Sequence, residues 1–76
     1  MDKIKVILMD LPHSIKGFTV YYFDEDGQSY YTIMINSHLC SAAQCKTYDH
    51  EIRHIDNRDF DSMFPVDVLE GIRHTG

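Results

Sequence analysis

The stretch Tyr48-Asp49-His50-Glu51-Ile52-Arg53-His54 contains the pattern His-Glu-x-x-His. On an α-helix, residues four positions apart lie on one face, with their Cβ atoms about 5–6 Å apart. Two imidazole rings at that spacing can bind one zinc ion through Zn–N bonds of roughly 2.0–2.1 Å. The stretch therefore predicts a helix that carries two metal ligands, His50 and His54.

Glu51 directly follows the first predicted ligand. Its carboxylate can reach a water that the metal has made more acidic, which is how the general base of a zinc-dependent hydrolase is placed. The alternative interpretation is a polar surface helix with two unrelated histidines. A shuffled chain of this composition contains the pattern with a probability on the order of one in a hundred. We therefore expect a zinc site in which Glu51 is the catalytic residue.

Length and composition narrow the class of protein. The 76 residues predict a single domain, residues 1–76, with a small core that a bound metal would help to stabilise. A hydrophobic content of 43% with 25% charged residues is typical of a folded globular domain. The net charge of −5 and the scattered Lys and Arg residues argue against direct nucleic-acid binding.

The N-terminal apolar run, residues 4–9, is too short for a signal peptide or a membrane span. A cytoplasmic protein without a membrane partner is expected, and its two cysteines, Cys40 and Cys45, are then expected to be reduced and buried. A two-Cys, two-His zinc finger is disfavoured, because four residues separate Cys45 from His50 where about twelve are typical.

Three segments rich in β-branched and aromatic residues, 3–9, 17–23 and 29–36, predict strands. The turn sequence Asp24-Glu25-Asp26-Gly27 joins the second to the third as a β-hairpin. The predicted fold class is α+β. We expect a small, mostly antiparallel sheet, packed by the His-Glu-x-x-His helix and by a C-terminal helix.

The two helices have different sequence signals. Ser41 and Gln44 predict a capping box at the start of the first helix. An apolar stripe at helical spacing then comprises Cys45, Tyr48, Ile52 and Ile55. Residues 60–64 are expected to be a linker, and Pro65 to mark the start of the last helix. The side chains expected to point inward from that helix are Val66, Val68, Leu69 and Ile72.

A catalytic zinc ion usually takes three protein ligands and keeps a fourth position for water. The candidates for the third ligand are Asp56, Asp59, Asp61, Asp67, Glu70 and His74. The aspartates closest to the motif helix would reach the ion only if the chain turned back sharply. Glu70 and His74 share one face of the last helix, so a helix that crosses the first could supply either.

Two further segments match a known family. Ile33-Met34-Ile35-Asn36 ends a predicted strand about a dozen residues before His50, and Glu70-Gly71-Ile72-Arg73-His74 follows on the last helix. With His-Glu-x-x-His, these segments resemble the ImmA/IrrE family of metallopeptidases over roughly residues 17–74. That family has a strand ending in Ile-x-Ile/Leu-Asn and a later Glu-x-x-Ala-Asn/Asp helix. The chain looks like a short, minimal-core member with a zincin-like fold.

The resemblance implies a zinc metallo-endopeptidase in which His50, His54 and Glu70 bind Zn²⁺, with His74 as the alternative third ligand. The implied substrate is a protein or peptide, for instance a helix-turn-helix repressor. Two positions depart from the family pattern, because Arg53 stands where Gly is frequent and Arg73 where Ala is usual.

Two other functions stay open from the residues. One is a non-enzymatic regulator of the same family, in which zinc stabilises the fold and an acidic surface binds a partner protein. The other is a structural domain without metal. The intact Glu51 favours the enzyme, because a purely structural site needs the ligands but has no use for a base.

Overall fold

The structure, a computed structural model, describes residues 3–66. Its elements in chain order are β1 (Lys3–Met9), β2 (Gly17–Phe23), β3 (Ser29–Asn36), α1 (Ser41–Asp56), a 3-10 helix (Phe60–Ser62) and β4 (Phe64–Pro65). The α+β class and the limits of the first three strands agree with the sequence prediction.

The four strands form one mixed sheet in the order β1-β3-β2-β4. The hairpin of β2 and β3 is antiparallel, as predicted, with Phe23 opposite Ser29 at the turn. The prediction of a mostly antiparallel sheet is wrong, because β1 pairs with β3 in parallel and β4 pairs with β2 in parallel. β3 lies between β2 and β1. The hairpin places β2 antiparallel to β3 on one side, and β1 pairs with β3 in parallel on the other side.

Asn36 holds the loop between β1 and β2, through which the chain passes from one side of β3 to the other. Its buried side-chain amide donates to the carbonyl oxygens of Leu11, Pro12 and Ile15 at 2.9–3.2 Å. Its backbone N–H donates to the carbonyl of Lys16 at 2.8 Å. One polar side chain at the end of β3 therefore contacts three carbonyl groups of the loop between β1 and β2, of which that of Pro12 also accepts from the backbone N–H of Ile15.

The hairpin turn is held by a carboxylate rather than by packing. Asp24 accepts hydrogen bonds from the backbone N–H groups of Gln28 and Asp26, at 2.8 and 3.0 Å, and from the Tyr30 hydroxyl at 3.0 Å. These donors, the Gln28 N–H foremost, lower the pKa of Asp24 below its ordinary value because they stabilise the ionised form. Gly27 has φ 82°, the left-handed conformation that glycine tolerates best.

The core lies between α1 and one face of the sheet. Its buried members are Tyr31, Ile33, Ile35, Ile55 and Met63. In β1, Ile4, Val6 and Leu8 pair with the three core residues of β3 but stay 43–56% exposed. The main contacts of α1 with the sheet are with β3 and β2, and β1 lies beyond β3.

The first turn of α1 differs from the prediction. The N-cap residue is Cys40, and no side chain caps the helix, so the predicted capping box of Ser41 and Gln44 does not form. Ser41 already lies inside the helix, and the Gln44 side-chain amide donates to the Leu39 carbonyl at 2.9 Å.

The buried face of α1 agrees with the second half of the predicted stripe, where Ile55 is buried and Ile52 packs against the core, but is rotated from its first half. Thr47, Glu51 and Ile55 are the buried helix residues, whereas Cys45 is exposed and Tyr48 is 37% exposed. The prediction that both cysteines are buried is therefore wrong.

α1 comes close to the sheet at Gly17. A Cβ atom on Gly17 would lie 2.7 Å from Cγ2 of Thr47 and 2.6 Å from the carbonyl oxygen of Met34. Only a residue without a side chain fits in that space, so Gly17 allows the Thr47 face of the helix to come down onto β2. This close contact turns the Cys45 and Tyr48 positions away from the sheet.

The chain after α1 also departs from the prediction. Phe60–Ser62 forms a 3-10 helix rather than an irregular linker, and Phe64–Pro65 pairs with Val20 and Tyr21 as β4. Pro65 thus lies in a short strand, and the next residue, Val66, is helical, so Pro65 comes just before a helical residue, as the sequence predicts. The rest of the predicted last helix, with Val68, Leu69 and Ile72, lies outside the described residues.

Candidate metal centre

α1 brings His50 and His54 together as the sequence predicts. Their Nε2 atoms face each other at 3.1 Å, and their ring centroids are 4.6 Å apart. His50 is exposed, and the side chain of His54 is 22% exposed. Both rings are therefore reachable from solvent while the helix fixes their spacing.

The separation of the two nitrogens fits a zinc ion. Two ligands about 2.0–2.1 Å from one ion, at a tetrahedral angle, place their nitrogens about 3.3 Å apart. The observed distance is 3.1 Å. Two histidines whose Nε2 atoms face each other at this distance, with their rings nearly perpendicular, are a donor set that zinc prefers.

Asp59 contacts the other nitrogen of His54. Its Oδ2 lies 3.3 Å from Nδ1 of His54, and the Ser62 hydroxyl donates to the same oxygen at 3.0 Å. The carboxylate favours the tautomer with the proton on Nδ1, which leaves the lone pair on Nε2 for a metal. Carboxylates beside histidine ligands commonly have this role in zinc proteins.

The end of α1 explains how Asp59 reaches back. Asn57 is the C-cap, and Arg58 has φ 51°, a left-handed conformation that reverses the chain. The backbone N–H of Asp59 then donates to the carbonyl of His54 at 2.9 Å. Sequence reasoning considered Asp59 only as a third ligand, whereas the structure places it behind the histidine.

Glu51 is 5% exposed and faces the sheet. The hydroxyl of Thr19, itself fully buried on β2, donates to Oε1 of Glu51 at 2.9 Å. The ligand atoms of His50, Glu51 and His54 all lie within 4.8 Å of one another. The carboxylate is thus fixed by the fold and stays close to both histidines.

A groove of about 800 Å³ opens beside this group. His50 and Glu51 lie at its wall with Lys46 and Thr47 of α1, and the loop before β2 forms another part of the wall. The remaining lining residues are Ser14, Ile15, Lys16, Gly17, Phe18, Val20 and Phe64. Since Asn36 holds this loop, the asparagine at the end of β3 shapes the groove from a distance. Sequence reasoning did not identify that role.

The third ligand is not found among residues 3–66. Within that range, no further His, Cys, Asp or Glu joins the group of His50, Glu51 and His54. Asp56 and Asp61 are exposed and stand apart from it. Glu70 and His74, the two candidates on the predicted last helix, lie outside the described residues, as does Asp67.

Comparison with known proteins finds no matching family model, no similar curated protein and no matching solved structure. The resemblance to the ImmA/IrrE family therefore stays a prediction from the motifs. Across residues 3–66, none of the helical segments combines the length and the apolar character that crossing a membrane requires.

Proposed function

We propose that the protein is a zinc-dependent metallopeptidase that hydrolyses peptide bonds. The observation that carries this proposal is the group of His50, Glu51 and His54, with the two Nε2 atoms 3.1 Å apart. The neighbouring groove supports it, because it has room for a peptide beside the same residues. The predicted relation to the ImmA/IrrE family points to the same chemistry.

His50 and His54 would hold the zinc ion, and Asp59 would keep His54 in the tautomer that can bind it. Bound zinc supplies Lewis acidity that activates water and polarises the peptide carbonyl. Glu51 accepts the proton of the attacking water and delivers it to the nitrogen of the leaving amine. The Thr19 hydroxyl donates a hydrogen bond to one carboxylate oxygen of Glu51, which fixes the orientation of the base.

The substrate is proposed to bind in extended form along the edge of β2. β4 covers that edge only at Val20 and Tyr21, so no described strand lies beyond Gly17–Thr19. A peptide added there would run past Glu51 and His50 in the groove. A regulatory protein such as a helix-turn-helix repressor is the kind of substrate that the family resemblance suggests.

Replacing Glu51 with Gln tests the role of the base. Glu51→Gln should retain zinc and the fold but lower peptide hydrolysis by about 10²–10⁴-fold, because the near-isosteric amide cannot accept the proton. The measurements are zinc content by elemental analysis, melting temperature with and without a chelator, and the rate of casein cleavage.

Each result has a definite meaning. Zinc bound at one equivalent, together with cleavage that Glu51→Gln removes, supports the peptidase. Failure to bind zinc at micromolar concentration would exclude the metal centre. A Glu51→Gln variant as fast as the wild type would exclude Glu51 as the base.

We place the third ligand on Glu70. A carboxylate lowers the net charge of the site from +2 to +1, which suits a partly dry groove, and Glu70 lies farther from the C-terminus than His74. Glu70→Ala should weaken zinc binding far more than His74→Ala in titrations against a competing chelator. Loss of the metal in His74→Ala alone would reverse the assignment.

A second function has one observation in its favour. Glu51 is buried and bonded to Thr19, so its carboxylate also ties α1 to the sheet. In a non-enzymatic regulator with a zinc-stabilised fold, that structural bond would be its whole role. Zinc binding without hydrolysis, combined with a large loss of stability in Glu51→Gln, would favour this regulator.

A further inference from the structure

The groove beside the metal centre has a mainly apolar wall. Ile15, Phe18, Val20 and Phe64 line it, and the rings of Phe18 and Phe64 meet edge to face with centroids 6.0 Å apart. Ile15 and Phe64 remain 39% and 47% exposed. Exposed apolar side chains in a concave site usually mark where an apolar part of a ligand is buried.

Two cations stand at the rim of this apolar wall. Lys16 comes from the loop before β2 and Lys46 from α1, and both are exposed. In the part of the chain that the structure describes, neither lysine forms an ion pair. Glu51 is the acidic residue among the described lining residues, and its carboxylate is bonded to Thr19.

This local charge is opposite to that of the whole chain. The protein carries seven Lys and Arg against twelve Asp and Glu, a net charge of −5. A groove rimmed by lysines that form no ion pair within residues 3–66, in an acidic protein, attracts anionic groups while the remaining surface repels them. Two lysines beside an apolar wall therefore suit a ligand that combines an apolar anchor with neighbouring carboxylates.

We propose that the groove selects extended peptides in which a bulky apolar residue is flanked by Asp or Glu. The apolar side chain packs against Phe18 and Phe64, and the flanking carboxylates lie near Lys16 and Lys46. The proposal names the substrate class of the proposed peptidase and to that extent rests on it. Recognition itself needs neither zinc nor hydrolysis, so it can be measured separately.

The test uses the full chain with Glu51→Gln, which prevents cleavage, and three fluorescein-labelled ten-residue peptides. Each peptide has a central Phe, and its flanking residues are Asp and Glu, Asn and Gln, or Lys. Binding is followed by fluorescence anisotropy with zinc and, in a second series, with a chelator. The acidic peptide should bind about tenfold more tightly than the amide peptide at low salt, and high salt should reduce that difference.

Charge reversal identifies the residues responsible. Lys16→Glu combined with Lys46→Glu should remove the preference for the acidic peptide. The matched control is Lys3→Glu combined with Lys5→Glu, which changes the net charge equally but lies on β1, at the opposite edge of the sheet. The control should keep the preference within about twofold, as expected for distant screened charges. Circular dichroism shows that each variant is folded.

The outcomes separate this proposal from the proposed peptidase. Equal binding of all three peptides, or an equal loss in both double variants, would overturn the substrate class even if zinc binds and casein is cleaved. A preference that Lys16 and Lys46 carry, found in protein that neither binds zinc nor cleaves, would uphold the peptide groove and overturn the peptidase.

Discussion

The two sides of α1 differ in what holds them. On the buried side, Thr47, Glu51 and Ile55 contact the sheet and the core, and each is at most 8% exposed. On the open side, His50 and His54 contact each other across 3.1 Å. The buried side sets where the helix sits, and the open side is left available for a metal. Glu51 belongs to both sides, because its side chain is buried against the sheet and its carboxylate lies within 4.8 Å of the ligand atoms of His50 and His54.

The largest effect is expected on the buried side. Ile55 is 2% exposed and belongs to the core cluster, so Ile55→Ala should lower the free energy of unfolding by about 2–5 kcal/mol. Urea denaturation in the presence of a chelator measures this. His50→Ala is the matched open-side change, and it should leave the chelated stability nearly unaltered while abolishing zinc binding. Equal destabilisation by both changes would show that the two sides are not separate.

The next effect concerns the bond that links the two sides. Thr19→Val keeps the shape of a fully buried side chain but removes the hydroxyl that donates to Glu51. The loss of a hydrogen bond to a charged, buried carboxylate should cost about 1.5–3 kcal/mol of unfolding free energy. In the peptidase, hydrolysis should fall while zinc affinity stays within about threefold of the wild type, because neither histidine touches Thr19. A loss of zinc affinity as large as the loss of rate would instead mean that Thr19 positions the whole helix.

The smallest effect is expected at Asp59, which contacts Nδ1 of His54. Asp59→Asn keeps the size of the side chain but removes the charge that favours the proton on Nδ1 of His54. Zinc affinity should fall by about 10–100-fold, as is typical for a residue that supports a metal ligand. Competition with a chromogenic chelator measures the change, with Asp61→Asn on the adjacent exposed residue as the control. If both variants bind zinc as the wild type does, Asp59 has no part in preparing His54.

Several features follow from the sequence through short-range physics alone. The β-branched and aromatic content of the two segments and the Asp24–Gly27 turn predict the β2–β3 hairpin, because a hairpin is made by residues close together in the chain. The spacing of His50 and His54 predicts that the two rings meet, because helix geometry is the same in any fold. The His-Glu-x-x-His motif and the meeting of its two histidine rings therefore follow from the sequence without any tertiary contact.

Other features depend on contacts between residues far apart in the chain. The parallel pairing of β1 requires the loop that Asn36 holds, 21–25 residues away along the chain. Which face of α1 is buried depends on the space that Gly17 leaves for Thr47. The helical periodicity of the sequence contains no information about this contact with the sheet. The pattern predicted a stripe through Cys45 and Tyr48, and the tertiary fit selected Thr47 and Glu51 instead.

The candidate metal centre shows the same division. The sequence by itself determined which two histidines share a helix face and that a glutamate stands beside them. Only the tertiary structure decided that Glu51 is anchored by Thr19, 32 positions earlier, and that a groove lined by two lysines adjoins it. Even Asp59, five residues after His54, needed the left-handed turn at Arg58 to reach the ring. Covalent spacing fixes neighbours on one helix, whereas the partners of a buried carboxylate depend on which surfaces pack together.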